Sequence, residues 1–166
     1  AFANSLNDEP NSLIKSFITY HKQHGGVSRY EKFKHYFNNI KKTNINEAQL
    51  KLILNRFAKL VKTEMLECEF VPGALKFIKK IKAKEIPIFV VSGSDEKELN
   101  EIFLKRDILD LFVNVFGSPL DKHSNLEKVI KIIGDRKKGI FFGDSNYDYT
   151  TSIKYGLDFI FVRGYS

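Results

Sequence analysis

Beyond residue 70 the sequence settles into one repeating order, a short apolar run followed by an amphipathic stretch, and no other feature restricts the fold so tightly. Short apolar runs suit strands buried on both faces, whereas apolar residues three and four apart mark helices with one covered face. On that basis helices are predicted over 73–84, 95–106, 124–133 and 147–155, and strands over 87–91, 112–116, 139–143 and 158–162. Strands separated by helices form a parallel sheet with helices laid against it, an α/β architecture. In an open sheet of this kind ligands bind beyond the carboxyl ends of the strands, so the polar residues directly after each run carry the functional information.

Before residue 70 the period is helical throughout. Leu13, Ile14, Phe17 and Ile18 mark one helix, Phe33, Phe37 and Ile40 a second, and Leu50, Ile53, Leu54, Phe57 and Val61 a third. Gly25-Gly26 separates the first two, and the third follows "KKTNIN", where Asn46 and Gln49 have the spacing of a capping pair. Residues 12–66 are therefore expected to form a small helical domain, with 1–11 and 67–166 making the α/β core. Phe33, Tyr36 and Phe37 read as core side chains rather than substrate contacts.

Composition narrows the function classes. With 43% hydrophobic and 28% charged residues in 166, the chain can bury one good core and a small accessory unit. Its apolar runs, such as "IPIFVV", fall far short of the roughly 20 residues that span a bilayer, and the start shows no signal-peptide pattern, so the expectation is a cytoplasmic protein without a membrane partner. Cys68, alone, reads as a small packing residue. The net charge of +7 raises a nucleic-acid partner, but 22 of the 27 basic residues are Lys spread along the helices, and "KFIKKIKAK" keeps Leu75, Ile78 and Ile81 on one face. That pattern is a solvated helix, so no nucleic acid is expected, although a basic field helps attract an anionic substrate. His21, His24 and His35 have no Cys or acidic companion that would complete a zinc site.

Three strand ends carry chemistry. The first finishes in Ser92-Gly93-Ser94 at the mouth of a helix, where Asp95 and Glu98 have capping-box spacing; small residues and free N–H groups there suit an anion, and a plain turn suits them as well. Lys122 falls just before a helix, placed to reach a charge beyond the sheet, though most lysines are simply solvated. Asp144 and Asp148, one helical turn apart after "GIFFG", repel each other unless a cation lies near, and few oxygen ligands completed by water and phosphate suit Mg²⁺; either aspartate could instead cap its helix.

Taken in this order, "VVSGS", "LDKHSNLEKVI" and "GDSNYDYTTSIKYG" resemble the second, third and fourth motifs of the haloacid dehalogenase superfamily, in particular its members like phosphoglycolate phosphatase and β-phosphoglucomutase. "FVPGALKFIKKIKAKEIPIFVVS" is similar to the segment that leads into the second motif, and Gly156 matches the glycine ending the fourth. The resemblance implies a Rossmann-like parallel core with a helical cap over residues 12–66 acting as a lid. It also implies a Mg²⁺-dependent phosphatase that hydrolyses a small phosphorylated metabolite through an aspartyl-phosphate. Ser92, Gly93 and Lys122 would hold the phosphate, Asp144 and Asp148 the metal, and Ser92, Lys122, Asp144 and Asp148 would form the catalytic set.

The family's first motif, a strand followed by Asp-x-Asp-Gly, supplies the nucleophile and general acid, and this chain opens instead on "AFANSLN". Asn4-Ser5 fits the Asp-Ser pair that often follows that motif, so the motif and its central strand are expected ahead of Ala1. A phosphomutase on the same scaffold and a non-catalytic domain binding phosphate or protein are the competing expectations. A dehalogenase has less support, because metal-free chemistry needs no acidic pair. Substrate identity and oligomeric state stay open.

Overall fold

A computed structural model describes residues 1–134 and 138–164. Its first layer is helical: α1 (Phe2–Ser5), α2 (Asn11–Gln23), α3 (Arg29–His35), which runs on into a π-helical turn at Tyr36–Ile40, and α4 (Glu47–Glu67). Local chemistry sets the starts. Ser28 accepts from the Glu31 N–H at the head of α3, and Asn46 and Gln49 make both bonds of a capping box on α4. The spacing of apolar residues then turns one face of each helix inward, burying Leu6, Phe17, Phe33, Tyr36 and Leu54 together. Phe2 packs into this cluster too, 5.5 Å from Phe17 and 4.5 Å from Phe57 between ring centroids. Phe33 and Tyr36 are core side chains, as their position in the sequence suggests, with Phe37 against them.

The second layer alternates as expected: α5 (Ala74–Lys82), β1 (Phe89–Asp95), α6 (Glu96–Lys105), β2 (Asn114–Ser118), α7 (Lys122–Ile133), β3 (Ile140–Gly143), α8 (Asn146–Lys154) and β4 (Asp158–Phe161). All pairing is parallel, β1 with β2 and β3 with β4. Among the described residues the strands form these two pairs rather than one continuous ladder. A common core joins them, because Leu126 and Val129 of α7 and Leu157 pack against Phe89, Val91, Phe116 and Phe141.

Two details differ from the sequence expectation. β1 continues through Ser92-Gly93-Ser94 to Asp95, and the register slips between Val91 and Asp95, so the polar stretch is an irregular strand end and not a separate turn. Cys68 is exposed rather than packed: it lies just past α4, where the Arg106 guanidinium contacts its Sγ at 3.1 Å and donates to its carbonyl at 2.6 Å. None of the described helices is long and apolar enough to cross a membrane.

Candidate active site

Lys122 opens α7 behind the N-cap Asp121, whose carboxylate accepts from the Ser124 N–H. Its side chain turns inward and is 6% exposed, so the solvated reading of this lysine does not hold. The ammonium donates to Asp148 Oδ1 in a buried ion pair. Asp148 Oδ2 accepts from Ser145 Oγ at 2.6 Å and from the backbone N–H groups of Ser145 and Asp144 at 3.2 and 3.3 Å. Ser145 in turn caps α8 by accepting from the Asp148 N–H, which completes a capping box. Burial alone would disfavour the charged carboxylate, but the Lys122 ammonium and the hydrogen bonds from Lys122 and Ser145 outweigh it and hold Asp148 below the usual carboxylate range.

Asp148 therefore both caps its helix and carries a site charge, and the two readings of Asp144 and Asp148 separate. Both oxygens of Asp148 are engaged within the protein, whereas Asp144, half-buried at the end of β3, has no hydrogen bond to its carboxylate among the described residues. Hard oxygen of this kind suits Mg²⁺. Among the described residues Asp144 thus offers the carboxylate oxygens left open here, while Asp148 orders the loop beneath it.

The other predicted residues lie across a seam with the helical layer. The Gly25–Val27 turn between α2 and α3 descends onto the strand ends. A Cβ added to Gly26 would stand 2.6 Å from Ser145 Oγ and 3.2 Å from Lys122 Nζ, and its φ of +78° is a left-handed conformation that favours glycine. The carbonyl oxygen of Gly26 would lie 2.6 Å from a Cβ added to Gly93. Gly93, Lys122 and Ser145 thus surround one cap residue, which brings the Ser92-Gly93 stretch and the Lys122–Asp148 pair to the same place. Ser92 Oγ accepts from the Ser94 N–H at 3.1 Å, and buried Ser118 donates to the carbonyl oxygens of Gly93 and Ser94. The loop before α7 is held by buried Asn125, which donates to the Gly117 carbonyl at 2.9 Å.

Beside this cluster a cleft of about 430 Å³ opens between the layers, lined by Lys22, His24 and Gly25 on the cap side and Asp144, Ser145 and Tyr147 on the core side. Arg29 and Tyr30 close the seam at the head of α6. Arg29 is paired with Glu98 at 2.6 Å, and Tyr30 donates to Asp95 Oδ2 at 2.5 Å. Burial and that bond push the Tyr30 phenol up to about 12. Asp95 caps α6 by accepting from the Glu98 N–H, yet the expected capping box is only half made, because the Glu98 carboxylate turns to Arg29. Of the cap histidines, His24, at the cleft, and His35 stack on Tyr20 with centroids 4.0 and 3.6 Å away, and His21 contacts Lys32.

Sequence reasoning missed Gly26, Ser145, Asn125, Arg29 and Lys32. For Ser145 the signal was present, since Ser-x-x-Asp before a helix is capping-box spacing. Gly26 reads in sequence only as a break.

A family model described as haloacid dehalogenase-like hydrolase matches residues 4–162. The fold is similar to a structure described as a predicted phosphoglycolate phosphatase from Haemophilus somnus, with 17% identity, a TM-score of 0.69, and coverage of 98% of this chain and 77% of that one. It is similar also to a predicted phosphatase from Clostridium acetobutylicum (17%, TM-score 0.69, 98% and 74%) and to a haloacid dehalogenase-like hydrolase from Streptococcus pneumoniae (13%, TM-score 0.62, 96% and 73%). At such identities the likeness establishes the fold. No curated protein sequence matches the chain.

Proposed function

The chain belongs to the haloacid dehalogenase-like hydrolase family, and from that premise we propose that it is a Mg²⁺-dependent phosphatase acting on a small phosphorylated metabolite in the cytoplasm. One observation carries the reading: a lysine and an aspartate, both buried, are paired at the strand ends beside a glycine-bearing strand terminus and a carboxylate, Asp144, that is unpaired among the described residues. Burying such a pair is costly unless it serves chemistry or is fully hydrogen-bonded, and a buried ammonium is what a phosphate dianion needs near it.

In this reading Ser92 Oγ and the Gly93 N–H bind phosphate oxygens, and Lys122 neutralises the charge that grows on them. Asp148 holds the Lys122 ammonium in place through their buried ion pair. In this family the attacking group is the aspartate of the first motif. Its carboxylate oxygen bonds to phosphorus as the ester P–O bond breaks and the leaving alcohol takes up a proton. Water then attacks the aspartyl-phosphate, releasing inorganic phosphate and restoring the carboxylate. Mg²⁺ held by Asp144 would supply further charge neutralisation at the phosphate. Closure of the helical layer over the seam would exclude water.

The test is phosphate release from a panel of phosphorylated metabolites by the full-length natural protein with Mg²⁺. Lys122→Met and Asp144→Asn should each lower kcat/KM by about 100-fold or more while the proteins remain folded. Full activity in either variant, or no release from any substrate by the wild type, would overturn the reading.

A further inference from the structure

Lys122 and the Ser92-Gly93 terminus belong to different strand ends, so their separation depends on what crosses from β1 to β2. Two buried polar side chains make that crossing. Ser118, the last residue of β2, donates from its hydroxyl to the carbonyl oxygens of Gly93 and Ser94. Asn125, fully buried in α7, donates from Nδ2 to the carbonyl oxygens of Gly117 at 2.9 Å and Leu120 at 3.3 Å. The strand ends are already close at this point: a Cβ added to Gly117 would collide with the Ser94 carbonyl oxygen and stand 2.7 Å from the Glu96 nitrogen.

The side-chain amide of Asn125 is thus given over to the loop that launches α7, and its backbone N–H donates to the Asp121 carbonyl at 3.0 Å. One side chain closes the stretch from Gly117 to Asn125 into a ring, and Lys122 lies on that ring. Packing alone does not call for an amide here. Leu126 and Val129 of the same helix face an apolar core, where an apolar residue at 125 would be buried without desolvating a polar group. Asn125 Oδ1 is moreover buried with no hydrogen-bond partner among the described residues, a cost that a residue serving packing alone avoids. The effect of the amide is to fix the loop beneath Lys122, whose ammonium is held at its other end by Asp148.

We propose that Asn125 is a positioning residue for Lys122: together with Ser118 it fixes the lysine ammonium relative to the Ser92-Gly93 terminus, so that the two strand ends meet one phosphate group. The inference rests on the phosphatase reading for the identity of that anion, and it adds how two separate strand ends act as a single cradle. Asn125 does not touch the phosphate and acts through Lys122.

The experiment is a double-mutant cycle between Asn125 and Lys122 in the full-length natural protein with Mg²⁺, run at a temperature where circular dichroism shows every variant folded. Asn125→Leu keeps the size of the side chain and removes its donors. It should lower kcat/KM for p-nitrophenyl phosphate by about 30-fold in the wild-type background, and by less than about threefold once Lys122 is replaced by Met. Should Asn125→Leu not fold, Asn125→Thr, a smaller side chain that keeps one donor, takes its place, with about tenfold expected against less than about threefold. Calorimetry with inorganic phosphate repeats the cycle without hydrolysis: Asn125→Leu should weaken binding about tenfold in the wild-type background and less than about twofold in Lys122→Met. Equal losses in the two backgrounds would mean that Asn125 serves the fold as a whole and would overturn the proposal, as would an Asn125 variant that matches the wild type. A wild type that binds phosphate with this coupling but hydrolyses no ester of the panel refutes the phosphatase reading and upholds the positioning. Hydrolysis with additive losses does the reverse, and a wild type that neither binds phosphate nor hydrolyses an ester overturns both.

Discussion

Gly143 shows how little room the site leaves at single residues. A Cβ there would stand 2.7 Å from Asp148 Cγ and 2.9 Å from its Oδ2, so the aspartate packs directly on the glycine backbone. Gly143→Ala should push Asp148 away from Lys122, costing about 1–3 kcal/mol in urea unfolding as well as activity. Two buried charges, Asp148 and Lys32, both make stability rise with pH, but in different windows and for different reasons. Asp148 is held below its ordinary range, so it contributes stability that is complete above the unfolded carboxylate value of about 4 and lost as pH falls through its folded value. Asp148→Asn should flatten the acid limb of a Tm-against-pH profile. Lys32, lowered to about 8, binds fewer protons folded than unfolded between that value and its unfolded value of about 10.4, so its penalty shrinks as pH rises through this window. Lys32→Met should raise Tm at pH 7 and remove that rise; an unchanged profile would mean that the ammonium is not desolvated. The placement of Asp144, Asp148 and Lys122 at the strand ends was legible in the sequence, because the apolar runs before them mark where the strands stop. Lys32 was not, since a lysine in a helix reads as solvated until its neighbours are known.

At the scale of elements, starts were easier to read than ends. The capping pair Asn46 and Gln49 behaves as its spacing suggests, because nothing else competes for either side chain. At α6 the same spacing gives half a box, because Glu98 answers Arg29 across the seam, a partner that lies 69 residues away by the difference of their numbers. No local pattern encodes that. The consequence is a latch between α3 and α6 whose two sides are not equivalent. Arg29 is buried, with its Nε unpartnered, while Glu98 is partly open to solvent. Removing Glu98 leaves a buried guanidinium with Asp95 3.9 Å away, whereas removing Arg29 leaves a carboxylate that water can reach. Glu98→Ala should therefore destabilise more than Arg29→Met, by about 2–3 kcal/mol against about 1 or less. Hydrogen exchange should quicken in both variants at the N–H groups of residues 28–31. Equal costs in the two variants would show that the latch is an exposed pair contributing little.

For the whole molecule, the parallel α/β class followed from the alternation of periods, but the coverage of the sheet did not. Continuous apolar runs such as "GIFF" read as strands buried on both faces. In the β3–β4 pair one face is partly covered, where Phe141 meets the shared core and Phe159 stacks at 6.4 Å, although Phe161 at its end is 55% exposed. The other face is open: Ile140, Phe142 and Ile160 are 57%, 48% and 44% exposed, and Phe77 of α5, 5.8 Å from Phe142, is 48% exposed. The stripe of α5 that should cover a sheet, Leu75, Ile78 and Ile81, is only half-buried. A contiguous apolar surface of this kind invites association, and parallel strands whose outer edges carry unpaired backbone groups add to it. The 166-residue chain by itself should accordingly bind 8-anilinonaphthalene-1-sulfonate with a blue-shifted emission and elute with concentration-dependent size. Replacing Phe142 and Ile160 by Ser should weaken both effects and change unfolding stability by only about 0.5 kcal/mol or less per site, as surface substitutions do. If the double variant instead lost several kcal/mol, and the parent bound no dye, this face would be covered in solution, and the apolar runs would have reported the burial of those strands correctly from the start.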